Sequence, residues 1–236
     1  TILAPTTNYG PTSPVAFAAS GTRIVMIGYR KLYGSKRGGR LALLGPKRPP
    51  VRIAAHDTGL LQFDSDVLVD DDAIWVCGYR GVARSRDGGA TFAVVPTPKG
   101  AGAGGLPALT VLARADDGAI WAGGDHGTLF VHRGGAKFQR VRGLDGSAVQ
   151  GLAATPLGVL VATAGGRLYL ASASRVRELG LAATGPLHDA CLTPAGSIVA
   201  VGASGAHRSS DRGASFRKVK LPIKQHVYAI AAFADG

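Results

Sequence analysis

Short runs of alternating apolar and polar residues, broken by glycine, recur along the whole chain. The clearest copy lies at residues 73–95, AIWVCGYRGVARSRDGGATFAVV. Ala73 to Cys77 has the β-branched and aromatic make-up of a strand, Gly78-Tyr79-Arg80-Gly81 reads as a tight turn, and a second strand follows from Val82 to Ser85. Ser85 to Phe92 then places a carboxylate, two glycines and a hydroxyl where the chain must reverse, before a third strand, Phe92 to Val95. An Asp side chain accepts from backbone N–H groups of such a turn while glycines take left-handed angles, so the turn supplies its own hydrogen bonding.

The same unit is legible, more or less worn, at about 15–45, 60–96, 107–143, 148–181 and 187–222, and residues 226–236 look like the start of another. In the first copy VAFAAS, RIVMIG, KLYGS and RLALL are the expected strands, and Ser35-Lys36-Arg37-Gly38-Gly39 is a worn turn with Arg37 at the Asp position. Arg133 stands at that position in the third copy, the fourth keeps only the strand rhythm, and the fifth restores the turn. The serines of the turns are spaced by about 43 residues per copy, longer than most solenoid repeats. Residues 1–14, TILAPTTNYGPTSP, have no period and read as an arm or linker.

Two turns carry a specific signature. Ser85-x-Asp87-x-Gly89-x-Thr91-Phe92 and Ser209-x-Asp211-x-Gly213-x-Ser215-Phe216 both match S-x-D-x-G-x-[ST]-[FW], the Asp-box. With the surrounding strand cadence, the chain resembles BNR-repeat propellers of the photosystem II assembly-factor-like branch; sialidases and sortilin-type receptors share the box. The resemblance implies an all-β protein, a β-propeller with five recognisable four-stranded blades plus a strand of a further blade. It also implies that the box is structural, sits at the outer turn between third and fourth strands, and marks the fold and not a catalytic centre.

Composition agrees with many short strands: 35 glycines and 46% hydrophobic residues, with few aromatics. Cys77 and Cys191 fall in separate apolar strands, without the count or spacing of a disulfide framework or zinc site, and read as buried free thiols. The histidines are scattered, and Asp64, Asp66 and Asp70-Asp71-Asp72 miss the spacing of a calcium loop, so neither metal nor other cofactor is expected. No apolar run reaches the length of a membrane span. A start at Thr1 leaves room for a removed signal peptide, and with it for a secreted or periplasmic site. The formal net charge of +12 favours anionic partners, among them acidic proteins, nucleic acid and lipid surfaces. No nucleic-acid-binding signature accompanies it, so a protein or peptide of acidic character is the expected partner.

In a propeller, function is expected on the face formed by the turns between second and third strands and by the links between blades. Those turns supply Tyr29, Arg30, Tyr79, Arg80, Asp125 and His126, and the long loop PKRPPVRIAAHDTG adds Lys47, Arg48 and Arg52. Tyrosine and arginine combine large contact area with directional hydrogen bonding, a pairing enriched at recognition surfaces. The expected function is therefore a noncatalytic module that docks a partner on this face, alone or in a larger assembly. The alternative is a glycan-active or glycan-binding propeller of sialidase or glycosidase type. A sialidase needs three arginines, an activated tyrosine and a glutamate, but the chain's one glutamate, Glu178, lies in an outer strand; Asp125, Asp145 and Asp189 are the candidates for a two-carboxylate glycosidase. Trp75 and Trp121 share one position of the repeat and are expected to pack between neighbouring blades.

Overall fold

A computed structural model describes the backbone of residues 12–20, 23–31, 37–45, 48–53, 64–70, 73–79, 81–99, 105, 108–172, 174–181, 183–222 and 226–232, with side chains from residue 65 onward. Among these residues, twenty strands form five antiparallel four-stranded sheets, each following chain order. Two compact units divide the chain, residues 1–96 with sheets one and two, and residues 97–236 with sheets three, four and five.

In the first unit, sheet one comprises β1 (Thr12–Ser20), β2 (Arg23–Lys31), β3 (Arg37–Gly45) and β4 (Arg48–Ile53), and sheet two comprises β5 (Asp64–Val69), β6 (Ile74–Gly78), β7 (Gly81–Ser85) and β8 (Ala93–Val95). Sheet one corrects the sequence reading. Lys31 of KLYGS ends β2, and Arg37, Gly38 and Gly39 open β3 opposite Lys31, Arg30 and Tyr29, so the worn turn does not lie between third and fourth strands. Leu32 to Lys36 lie outside the described residues. RLALL belongs to the third strand, and the fourth is RPPVRI, a strand where the sequence pattern predicts a loop. Its prolines sit in an edge strand, where the missing N–H breaks no ladder on the outer side. The first strand also takes in Thr12–Pro14, assigned from sequence to the arm.

In the second unit, sheet three is β9 (Leu109–Arg114), β10 (Ile120–Gly124), β11 (Thr128–His132) and β12 (Gln139–Arg140); sheet four is β13 (Val149–Thr155), β14 (Gly158–Thr163), β15 (Leu168–Ala171) and β16 (Val176–Glu178). Sheet five is β17 (Leu187–Leu192), β18 (Ile198–Gly202), β19 (Gly205–Ser209) and β20 (Arg217–Val219). Strand alternation sends successive side chains to opposite faces, and β14 uses both. Val159 and Val161 join Trp121, Leu129 and Val131 of sheet three, whereas Leu160 and Ala162 join Leu187, Ile198 and Ala200 of sheet five. A strand buried on both faces can be apolar throughout, and each such side chain contributes about 1.5–3 kcal/mol on burial. Trp121 is 2% exposed and packs between sheets three and four, as its place in the repeat implied. Trp75 is 4% exposed, with the Arg84 guanidinium 5.1 Å from the ring centroid and its Nε1 donating to Asp70 Oδ2 at 3.3 Å.

The two complete turns close with the same bonds. Ser85 Oγ donates to Asp87 Oδ1 (2.7 Å) and accepts from the Gly89 N–H (2.7 Å), while Asp87 accepts from the Thr91 N–H (2.9 Å) and hydroxyl (2.6 Å). Ser209, Asp211, Gly213 and Ser215 repeat the set at 2.6, 2.8, 3.0 and 2.6 Å. Gly88 and Gly89 hold positive φ; in the other turn Arg212 takes φ 57° where Gly88 stands. Sheet three solves the turn with a different residue. His132, at the serine position, accepts the Gly134 N–H on Nδ1 (3.3 Å) and engages Gly135 O through Nε2 (2.8 Å), a bridge that needs the Nε2–H tautomer. The imidazole thus does the work of serine and aspartate together, in a turn one residue shorter. Arg133 is a solvent-side residue 3.8 Å from Asp117 and not the worn counterpart of the aspartate.

Hydrogen bonds from Thr91 and Ser85, and from Ser209 and Ser215, hold the Asp87 and Asp211 carboxyls far below the usual carboxylate range. A depressed folded pKa means that the stabilisation is complete above the ordinary value of 3.8 and is lost as pH falls below it toward the folded value. Wild-type urea midpoints should therefore drop between about pH 5 and about pH 2, and Asp211→Asn should start lower at neutral pH and fall less over that range. A second test concerns close backbone approach: a Cβ on Gly124 or Gly202 would run into Ala108 O or Pro186 O. Gly124→Ala and Gly202→Ala should each lower stability by about 1–3 kcal/mol in urea unfolding.

Candidate functional site

Within each sheet of the second unit, one bond ties the turn after the second strand to the link before the first. The N–H groups of Asp125, Ala164 and Ala203 donate to Ala108 O, Ala148 O and Pro186 O at 3.0, 2.8 and 2.9 Å. The turns and links therefore share one end of each sheet.

At this end the first strand is irregular in all five sheets. Register shifts by one residue between Pro14 and Ala16, Asp64 and Asp66, Leu109 and Val111, Val149 and Gly151, and Leu187 and Asp189. The bulged residues are Val15, Ser65, Thr110, Gln150 and His188, and a bulge in a repeated position re-aims a side chain in every copy. Thr110 and Gln150 are exposed and His188 half-buried, while Thr110 donates its hydroxyl proton to Val149 O on the neighbouring first strand (3.1 Å).

Residues 226–232 lie against the same end of sheet five. They belong to no sheet, since no neighbouring strand pairs with them among the described residues, so the strand expected for a further blade is present here only as an isolated segment. Two backbone donors hold it: Val227 N–H to Gly202 O (3.3 Å) and Ile230 N–H to Asp189 Oδ2 (3.0 Å). Tyr228 stacks on His188 at 4.8 Å between centroids and is 69% exposed, with the His226 ring 6.1 Å away. Burial pushes the Asp189 carboxyl up, against the opposing pull of the Ile230 and Ala190 N–H groups; burial, with the Asp189 charge, also raises the Cys191 thiol. Cys77 is buried and Cys191 is half-buried.

The residues singled out from sequence are distributed as follows. Tyr79 is 42% exposed in the β6–β7 turn, and Asp125 and His126 are exposed in the β10–β11 turn, His126 at φ 54°. Tyr29 and Arg30 lie within the β2–β3 ladder, opposite Gly39 and Gly38, and not in a turn. Arg48 and Arg52 lie on β4 and not in a loop, opposite Gly45 and Ala42. Arg80 and Lys47, and the side chains of Tyr29, Arg30, Arg48 and Arg52, fall outside the described residues. The three glycosidase candidates are each otherwise engaged or apart: Asp189 caps backbone N–H groups with both oxygens, Asp145 holds Ser147 and lies 3.5 Å from Arg167, and Asp125 is exposed in its turn. Asp66 and Asp70 cap the N–H groups of Val67 and Ala73. Among the described residues no three His, Cys, Asp or Glu side chains converge as metal ligands, and no helix is long and apolar enough to cross a membrane.

Positive charge gathers elsewhere. A groove of about 420 Å³ on sheet five is lined by Arg208, Ser210, Arg217, Lys218 and Val219, and a smaller one of about 250 Å³ on sheet two by Arg84, Arg86, Asp87, Thr91 and Ala93. Val131 and Leu170 occupy the Arg208 position in sheets three and four, where they join the cores against the following sheet.

No protein-family model matches the sequence, and no curated protein matches it. Solved structures do. YCF48 bound to D1 peptide superposes with a TM-score of 0.65 at 14% identity, over 91% of this chain and 70% of its own. The WD40 β-propeller domain of Doa1 gives 0.63 at 12% identity, over 88% of this chain and 68% of its own. This chain has the β-propeller fold. Each four-stranded sheet is a blade. The gluconolactonase XC5397 from Xanthomonas campestris also matches, with a TM-score of 0.52 at 18% identity over 94% of this chain and 90% of its own. The chain spans 28% of the length of the BT4673 extracellular domain from B. thetaiotaomicron, which it matches at a TM-score of 0.67 and 16% identity over 88% of its own length.

Sequence reasoning missed Thr110, Gln150, His188 and Tyr228. Aligning AVQG, PLHD and HVYA would have placed Gln150, His188 and Tyr228 at one position of the repeat. That the position is bulged is a property of the ladder and leaves no composition signal.

The Asp189 shift supplies a test. Because its folded pKa is raised, the carboxyl costs no stability below the ordinary value of 3.8 and destabilises increasingly as pH rises through the folded value. Asp189→Asn should gain on the wild type in urea midpoint as pH rises from about 4 to about 7. With one acceptor oxygen left, it should also speed amide exchange at Ile230, read by hydrogen–deuterium exchange.

Proposed function

We propose that the chain is a noncatalytic β-propeller module that docks a protein or peptide on the blade ends formed by the turns after the second strands and the links before the first. The observation that carries this reading is the bond that ties each turn to its link in the second unit, from the N–H groups of Asp125, Ala164 and Ala203 to Ala108 O, Ala148 O and Pro186 O, which gathers turns, links and the bulged Thr110, Gln150 and His188 at one end of each of these blades. YCF48, of the same fold, is bound to D1 peptide in its structure. The Asp87 and Asp211 turns, with their serine and glycine bonding, support placing the chain among BNR or Asp-box propellers of the photosystem II assembly-factor-like kind.

In the second unit Asp125 and His126 are the proposed contact residues on the turns. In the first unit Tyr79 stands at the corresponding turn, and Tyr29, Arg30 and Arg80 are proposed for the same role there, whereas Arg48, opposite Gly45 at the far end of β3, and Arg52 on the edge strand β4 leave the proposed contact set. An acidic partner suits the net charge of +12, but in the second unit the cations lie mainly on and beside the fourth strands, at Arg140, Arg177, Arg217 and Lys218. Charge there steers a partner without selecting its sequence, and salt screens it.

Binding partners captured by the wild-type chain are titrated by calorimetry against Asp125→Ala/His126→Ala and against Arg140→Ala/Lys218→Ala. The turn pair should weaken binding by about 2–4 kcal/mol, as for contacts at the centre of an interface. The outer-strand pair should change it little at physiological salt. The reverse pattern would move the interface to the basic outer strands. Hydrolysis of glycosides and sugar lactones assayed on the same preparations should stay at background; turnover abolished by Asp125→Asn or Asp145→Asn would establish the enzyme reading.

A further inference from the structure

The residue before each bulge in the second unit, Leu109, Val149 and Leu187, is 0–1% exposed, and Val149 and Leu187 are locked into the packing between blades. The extra residue that follows is released from that packing. Thr110 and Gln150 reach solvent, and His188 is half-buried under Tyr228. β13 lies beside both β9 and β17, so the three bulges form consecutive rungs, and Tyr228, placed by its repeat position one rung further, continues them. The first two and the last two rungs interact directly, through the Thr110 hydroxyl on Val149 O and the Tyr228 ring on His188.

We propose that Thr110, Gln150, His188 and Tyr228 form a peptide-reading row on the docking end of the second unit, an inference that rests on the docking function above. The rungs present a hydroxyl, an amide, an imidazole and a phenol. Such groups donate and accept hydrogen bonds along an extended backbone without asking for charge, and the His188–Tyr228 stack offers an aromatic surface to a proline or aromatic side chain. Tyr228 is already immobilised by the bonds of Val227 and Ile230 on either side, so binding there costs little additional ordering. Stacked rings also suit sugars. The repeating N–H and C=O groups of a peptide backbone match neutral side chains that both donate and accept, which favours a peptide.

The probe is a phage-displayed library of random linear peptides, panned on the whole chain, with a glycan array in parallel. Selected peptides should be enriched in proline or aromatic residues. Their affinity should fall about tenfold in Gln150→Ala and in Tyr228→Ala, the loss of one hydrogen bond or one stack. Arg140→Ala should leave it unchanged. Both target side chains are exposed, so melting temperatures should match the wild type and a loss of binding will not report unfolding. Peptides that bind the wild type and both variants equally, yet weaken in Asp125→Ala/His126→Ala, would overturn the row and leave docking at the blade ends standing. A library that yields no binder, or glycans that bind where peptides do not, would overturn both.

Discussion

The structure rests on second strands that are buried on both faces. β14 shows the constraint: alternate residues enter two different cores, so neither face can carry a charge or a void without separating two blades. This accounts for the runs IWVCG, IWAGG and VLVAT at one position of the repeat, and for the small residues among them. Gly124 and Gly202 lie so close to the preceding link that no side chain fits, which fixes how the turn and the link meet.

With the central strands so constrained, the rest of each repeat is free to diverge. The turn between third and fourth strands needs its N–H and C=O groups satisfied, and the described blades meet that need in three ways: with Ser85–Asp87 and Ser209–Asp211, with the single imidazole of His132, or, in blade four, with Ser172, whose Oγ accepts the Arg175 N–H. A similar exchange leaves a gap in blade three. Trp75 Nε1 has Asp70, whereas the buried Trp121 Nε1 has no partner, Ala115 standing where the aspartate would be. Divergence concentrates cations on fourth strands, where alternate side chains reach solvent and discourage edge pairing. In the second unit the end formed by turns and links therefore carries neutral and mixed polar groups, and the outer strands carry most of the positive ones.

How much was legible depended on whether a residue's role was local. The Asp87 and Asp211 turns were readable because all their partners lie within a few residues. Trp121 was readable as a residue between blades because its repeat position places it on a two-sided strand. The first blade was misread because Gly38-Gly39 resembles a turn in isolation and Pro49-Pro50 resembles a loop. The ladder opposite Arg30 and Tyr29, and an edge that tolerates proline, decided otherwise. Arg48 and Arg52 moved from loop to strand with it.

The sequence by itself determined the strand rhythm, the repeat period, the turns that bond to themselves and the apolar content of the central strands, since each follows from residues near in the chain. Tertiary structure alone decided the bulges, the seat of residues 226–232, the raised carboxyl of Asp189 and the row from Thr110 to Tyr228. Those depend on which first strands lie side by side and on the register between strands, and a one-residue shift in a ladder re-aims a side chain without changing any amino acid.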